Sequence, residues 1–232
     1  MKRFYKDVVV TPECGVTLDG RPVRTPAKRP LLLPGAALAE AVAEEWRQQG
    51  EHILPHLMPL TGLANAAIDR VVEDPKGFAA GLTAYGETEL LCYRAAEPPE
   101  LVARQAKIWD PILDWASTRF GVAFTRVIGI MHQPQPSETL ERLSAAGAAR
   151  SPWELAALSP LVTISGSLVI PLALVEEAIL PEAAFDAAHL DELWQAEQWG
   201  EDDFALEARA VHRRDFLAAA RFLDLLRDGC RD

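Results

Sequence analysis

Pro34-Gly35-Ala36-Ala37-Leu38-Ala39-Glu40-Ala41-Val42-Ala43-Glu44-Glu45-Trp46 decides the fold, because the periodicity of the chain changes there. Leu38, Val42 and Trp46 recur at the spacing of one helical face, so a helix starts after the Pro/Gly pair and closes near Gly50. Trp46 ends that face as a core anchor. Upstream the text is that of strands: Phe4–Val10 and Val16-Thr17-Leu18 are rich in strand formers, with a break at Thr11-Pro12-Glu13. Asp19-Gly20 is a favoured two-residue hairpin turn, so residues 16–18 pair antiparallel with residues 21–25, and Pro22 and Pro26 push that second strand to an edge.

Downstream the pattern stays helical. Helices are expected at about residues 57–72, 75–85, 98–119 before Gly121, and 137–146. Ser151-Pro152-Trp153-Glu154 is a capping box with proline at the first helical position. Residues 156–175 carry no charge and are about as long as a membrane span. The polar Ser159, Thr163, Ser165 and Ser167, together with Pro160 and Pro171 and the absence of flanking basic or aromatic belts, favour one buried central helix instead. Pro181 opens the next helix and Gly200 closes it. The last runs over residues 201–228 to a stop at Gly229, its first acids opposing the helix dipole. The expected fold class is α+β: a small antiparallel β-rich N-terminal domain, residues 1–34, followed by a larger mainly α-helical domain, residues 35–232.

Composition narrows the function. A chain of 232 residues with 49% hydrophobic and 25% charged residues can bury a large core. Thirty-four acids against twenty-three bases give a net charge of −11, which repels phosphate backbones and anionic lipid, so neither nucleic acid nor membrane insertion is expected. Cys14, Cys92 and Cys230 are odd in number, widely spaced and outside any Cys-x-x-Cys pattern, which suits a reduced cytoplasm. The start Met1–Asp7 has no apolar region of a signal peptide behind its charges.

Catalytic patterns are missing. His52-Ile53-Leu54-Pro55-His56 has a ligand-like histidine spacing, but Pro55 interrupts it and no His-Glu-x-x-His follows. His132, His189 and His212 stand alone. Ser165-Gly166-Ser167 lacks the Gly-x-Ser-x-Gly elbow, and no glycine-rich phosphate cradle is present, so no cofactor or metal is expected. The adjacent acids Glu44/Glu45, Glu176/Glu177 and Asp191/Glu192 diverge around a helix and read as solvated faces. A rival reading is a small hydrolase or transferase using His52 or His56 with a carboxylate such as Glu51 or Asp69; another is a peptide-binding module with a different client.

Two features point toward a protein partner. His189-Leu190-Asp191-Glu192-Leu193-Trp194-Gln195-Ala196-Glu197-Gln198-Trp199-Gly200 places two indoles and several acids on one helix, with Leu190, Leu193 and Trp194 as its apolar stripe. Gln105-Ala106-Lys107-Ile108-Trp109-Asp110-Pro111-Ile112-Leu113-Asp114-Trp115 holds two further tryptophans, read as core. With Gly15–Pro26, Glu44-Glu45-Trp46, Met58-Pro59-Leu60-Thr61 with Ile68-Asp69, and Cys92-Tyr93-Arg94-Ala95, these segments in order resemble the assembly chaperones of the soluble head of F-type ATP synthase that escort its α subunit. The resemblance spans nearly the whole chain. It implies a two-domain, ATP-independent chaperone, monomeric and not an enzyme, that holds the unassembled α subunit until β subunits replace it. The start close to the first strand resembles the bacterial form. The resemblance marks Asp191 as a client-binding acid, where relatives often carry glutamate, with Glu192 and Trp199 beside it; read alone, Asp191 is an ordinary exposed helix acid. Trp46, Trp109 and Trp194 take structural roles that the client surface depends on.

Overall fold

Asp19-Gly20 sets the register of the first sheet: φ is 48° at Asp19 and 77° at Gly20, the positive pair that a tight hairpin turn requires. The structure, a computed structural model, describes residues 1–228; the expected stop at Gly229 and Cys230 lie outside the described residues. Strands β1 (Val8–Val10), β2 (Val16–Leu18) and β3 (Arg21–Pro22) form an antiparallel sheet in that order, with Val8 opposite Leu18 and Thr17 opposite Pro22. Pro22 therefore sits on an edge. The Asp19 carboxylate accepts the backbone N–H groups of Lys6 and Asp7 at 3.0 and 2.8 Å, and these bonds hold it below the usual carboxylate range.

The chain gathers into two compact units. One holds Met1–Pro75 and Ser151–Ala157 together with the chain from Ala218; the other holds Lys76–Arg150 and Leu158–Leu217. In the first, α1 (Ala36–Arg47) packs on β1 with Leu38, Ala39, Val42 and Ala43 fully buried. Trp46 is half-buried on that helix, edge-on to Tyr5 at 5.8 Å, while the Tyr5 hydroxyl donates to the Trp46 carbonyl at 2.8 Å. Burial pushes the Tyr5 phenol above its ordinary pKa. A second helix, α2 (Pro59–Ala66), continues into a π-helical turn at Ala67–Val71. That turn carries Asp69, whose carboxylate accepts Thr25 Oγ1 at 2.6 Å and the Ala27 N–H at 2.9 Å and so ties the β module to the helices.

Glu45 corrects the expectation of a solvated face. It reaches the start of α2 and accepts the N–H groups of Leu60 and Thr61, both at 2.8 Å, and the Thr61 hydroxyl at 2.7 Å. The first turn of α2 has no side-chain cap of its own, so a remote carboxylate satisfies donors that the helix geometry leaves open.

The second unit is built around α4 (Pro99–Phe120), which packs against α7 (Val169–Val175) and ends on Gly121 in the left-handed conformation. Trp109, 1% exposed, donates its indole N–H to the Ala187 carbonyl at 2.8 Å. Arg94 lies over its ring at 5.3 Å and pairs with Asp110 at 2.7 Å. Trp115 is only half-buried, edge-on to Phe120, because it faces a shallow apolar cleft rather than the core. Helices α3 (Pro75–Thr83) and α5 (Ser137–Ala148), a short parallel pair, β4 (Tyr93–Arg94) with β5 (Val127–Ile128), and single 3-10 turns also lie ahead of residue 150.

Two long helices expected from the sequence are each two. Residues 156–175 divide into the end of α6 (Pro152–Ser165) and α7, with Gly166 at φ 64° between them. Ser167 Oγ accepts the Ile170 N–H at 3.0 Å, and Glu89 accepts the N–H groups of Leu168 and Val169 at 2.8 and 3.1 Å, so the first turn of α7 is closed by groups that continuous-helix reasoning does not supply. Among the described residues no helix is long and apolar enough to cross a membrane. The capping box is present: Ser151 N–H donates to Glu154 at 2.8 Å and Glu154 N–H to Ser151 Oγ at 3.2 Å. Residues 181–199 divide into α8 (Pro181–Ala188) and α9 (Leu190–Trp199) at His189, whose ring stacks on Phe185 at 4.0 Å and lies 3.0 Å from the Phe185 carbonyl. The last helix is α10 (Asp203–Asp228). Glu176 is likewise no solvated acid: it pairs with Arg119 at 2.9 Å and Arg150 at 2.5 Å. Partial burial raises its pKa, but those two guanidinium bonds outweigh it and leave the carboxyl below its ordinary value.

Replacing Glu45 by alanine is expected to cost about 1–2 kcal/mol in urea unfolding, as loss of a helix cap does, and Glu45→Gln less because an acceptor remains. Glu89 is fully buried, and desolvation raises its pKa despite the bonds it accepts. The folded state therefore binds this proton more tightly than the unfolded chain. Its contribution to stability is complete below the ordinary glutamate pKa and is lost as pH rises through the raised, folded value. Glu89→Gln should flatten that loss when unfolding midpoints are compared between about pH 5 and 8.

Candidate functional site

Helix α9 is amphipathic in two directions, and each points to a different task. Leu190 is buried, while Leu193 and Trp194 are half-buried along the inner face. Glu192, Gln195, Ala196 and Trp199 recur on another face at the spacing of successive helical turns and look into a cleft of 440 Å³ whose opposite wall is the start of α10. Gly200 joins the two helices at φ 81°, ψ 177°, a region open essentially to glycine alone.

The cleft is both apolar and acidic. Trp199 is 75% exposed and stands edge-on to Trp194 at 5.7 Å, so the half-buried indole props the exposed one. Across the elbow Phe204 is 85% exposed. Asp202 caps α10, accepting the Ala205 N–H at 2.8 Å, and Glu201 pairs with Arg209. Glu197 pairs with Arg104 at 2.8 Å. Glu192 is exposed.

Asp191 turns the other way. It is half-buried, and its carboxylate accepts the side-chain N–H of Gln105 at 2.8 Å; Gln105, 1% exposed on α4, in turn accepts the Ala95 N–H at 2.8 Å. One carboxylate oxygen of Asp191 thus fastens α9 to α4. Of the site residues expected from the sequence, Asp191, Glu192, Trp194 and Trp199 share one helix, Trp109 supports the helices beneath it from α4, and Trp46 belongs to the other unit. Phe204 escapes a reading by composition, yet the helical wheel holds its signal. It lies twelve residues before the buried Phe216, about a third of a turn off the core face of α10.

The rival catalytic reading finds no assembly. His52 and His56 are exposed, residues 51–53 pair with the N-terminal residues, and Asp69 is engaged by Thr25 and Ala27. The Cys92 thiol is buried and pushed up to about 12, first by burial and then by Glu89, which leaves it without nucleophilic thiolate at neutral pH. Among the described residues no group of three or more His, Cys, Asp or Glu side chains is placed to hold a metal ion.

Comparison with known proteins agrees along the chain. Residues 2–117 match the sequence model of a family described as ATP12 chaperone protein. Protein atp12, mitochondrial, of Schizosaccharomyces pombe is 24% identical over 237 aligned positions, covering 96% of this chain and 81% of its own. The crystal structure of Atp12 from Paracoccus denitrificans superposes with a TM-score of 0.90 at 40% identity, covering 97% of this chain and 98% of that one. An aspartate-to-lysine variant of the Paracoccus protein gives the same TM-score at 41% identity, with 97% of both chains covered. The Atu1473 protein of Agrobacterium tumefaciens reaches 0.91 at 44% identity, covering 97% of this chain and 86% of that one.

The Asp191–Gln105 tie can be separated from any surface role. Asp191→Ala, which leaves a buried amide without its acceptor, should lower stability by about 1–3 kcal/mol, while Asp191→Asn keeps the acceptor and most of that stability. In a double-mutant cycle with Gln105→Leu, the Asp191→Ala cost should largely vanish.

Proposed function

The chain belongs to the ATP12 chaperone family, and from that premise we propose that it binds the unassembled α subunit of F-type ATP synthase and releases it when β subunits take its place. The observation that carries this reading is the likeness to Atp12 over nearly the full length of both chains. An α subunit outside its ring exposes apolar surface that its neighbours normally cover, and such surface aggregates. Shielding it calls for a complementary surface with aromatic anchors and a polar rim rather than for a reactive group. The α9–α10 elbow has that composition, with Trp199 and Phe204 exposed among carboxylates. In this reading Glu192 and Trp199 meet the client, and Asp191 joins them by its free carboxylate oxygen while it keeps α9 in place. The protein acts as a monomer in the cytoplasm, without ATP or another cofactor.

Purified protein should form a stoichiometric complex with isolated α subunit and keep it soluble on heating, equally well with or without ATP. Addition of β subunit should dissolve the complex. Failure to bind α subunit, or protection of unrelated aggregating proteins to the same degree, would remove the client assignment; gel filtration and light scattering read both outcomes.

A further inference from the structure

The α9–α10 elbow is charged on one side only. From Asp191 to Ala208 the chain carries seven carboxylates and no lysine or arginine. The basic residues that follow are engaged within the chain: Arg209 with Glu201, Arg213 with Glu182 at 2.5 Å and Arg214 with Asp215 at 2.9 Å. Glu192, Asp203 and Glu207 are exposed and have no counter-charge among the described residues; Glu192 lines the cleft, while Asp203 and Glu207 stand on α10 outside its lining. Between and beside these acids stand Trp199, Phe204 and, half exposed, Leu206.

We propose that this cleft receives a cationic amphipathic helix of the client, its aliphatic side chains against Trp199, Ala205 and Ala208 and its lysines or arginines over Glu192, with Asp203 and Glu207 adding to the negative field from outside the lining. The inference rests on the chaperone reading and specifies the chemistry of the client segment. Charge complementarity selects the sign: carboxylates with no internal partner repel an acidic or purely polar segment and steer a basic one. Shape selects the form, because a trough between two helices accepts a third helix through anchors spaced at three, four and seven residues, the spacing at which Glu192, Gln195, Ala196 and Trp199 line the wall. A second copy of this chain is the poorer occupant. Two-fold pairing through this face would set the same unpaired carboxylates against one another.

The full-length protein tests this with a short helical peptide of lysine and leucine arranged on opposite faces, and with its glutamate/leucine counterpart. The lysine peptide should bind, quench or shift Trp199 fluorescence, and compete with isolated α subunit. Its affinity should fall about tenfold or more when salt is raised from about 0.05 to 0.5 M. Glu192→Lys and Trp199→Ser should each weaken both the peptide and α subunit about tenfold while circular dichroism stays native. Equal binding of the glutamate peptide, unchanged α-subunit affinity in both variants, or self-association that Trp199→Ser abolishes would overturn the proposal. If the lysine peptide binds as described but α subunit does not bind at all, the cleft chemistry stands and the client assignment falls.

Discussion

A helix made only of apolar residues cannot close its own first turn, and the second unit depends on how α7 solves that problem. Every residue from Val169 to Leu174 is buried, so the open N–H groups at its start would otherwise face a hydrocarbon core. Glu89, seventy-nine residues earlier in the chain, supplies the acceptor, and its carboxylate also takes the Leu91 N–H. The cost is a fully buried carboxyl whose ionised form burial disfavours, a penalty that backbone donors and a hydroxyl offset only in part. With α7 anchored in this way, α4 has a wall to pack against, and Trp109 on α4 reaches the Ala187 carbonyl of α8. Glu45 does the same for α2 in the other unit.

What the sequence reveals is what neighbouring residues settle among themselves. The hairpin at Asp19-Gly20, the box at Ser151–Glu154 and the helix start after Pro34-Gly35 all depend on contacts within a few residues, and all are visible before the structure. The breaks at Gly166 and His189 are not. An uncharged run and an unbroken apolar stripe both favour a continuous helix, and only the remote Glu89 and the stacking of His189 on Phe185 make the bend cheaper. Adjacent acids read as solvated for the same reason: nothing near Glu45 or Glu176 in sequence announces Thr61, Arg119 or Arg150.

The site shows the same division. Trp199 and the acids around it stand out because helical spacing separates them from Leu190 and Leu193, whereas the engagement of Asp191 by Gln105 joins two segments eighty-six residues apart. Any surface that grips a protein partner has two demands. Its anchors must be exposed, which no core rewards, and they must also be held still, so that little freedom is lost on binding. Trp194 beneath Trp199 and Gln105 behind Asp191 provide the rigidity.

Gly200 sits where the two walls of the cleft diverge, with no atom near enough to hinder a larger side chain. The prohibition there is torsional, not spatial: at φ 81°, ψ 177° any other residue pays in backbone strain or swings the indole away from its phenylalanine counterpart. Substitution can therefore recolour the rim of this elbow, acid by acid, but it cannot adjust the aperture one residue at a time. A wider or narrower mouth would require adding or deleting residues.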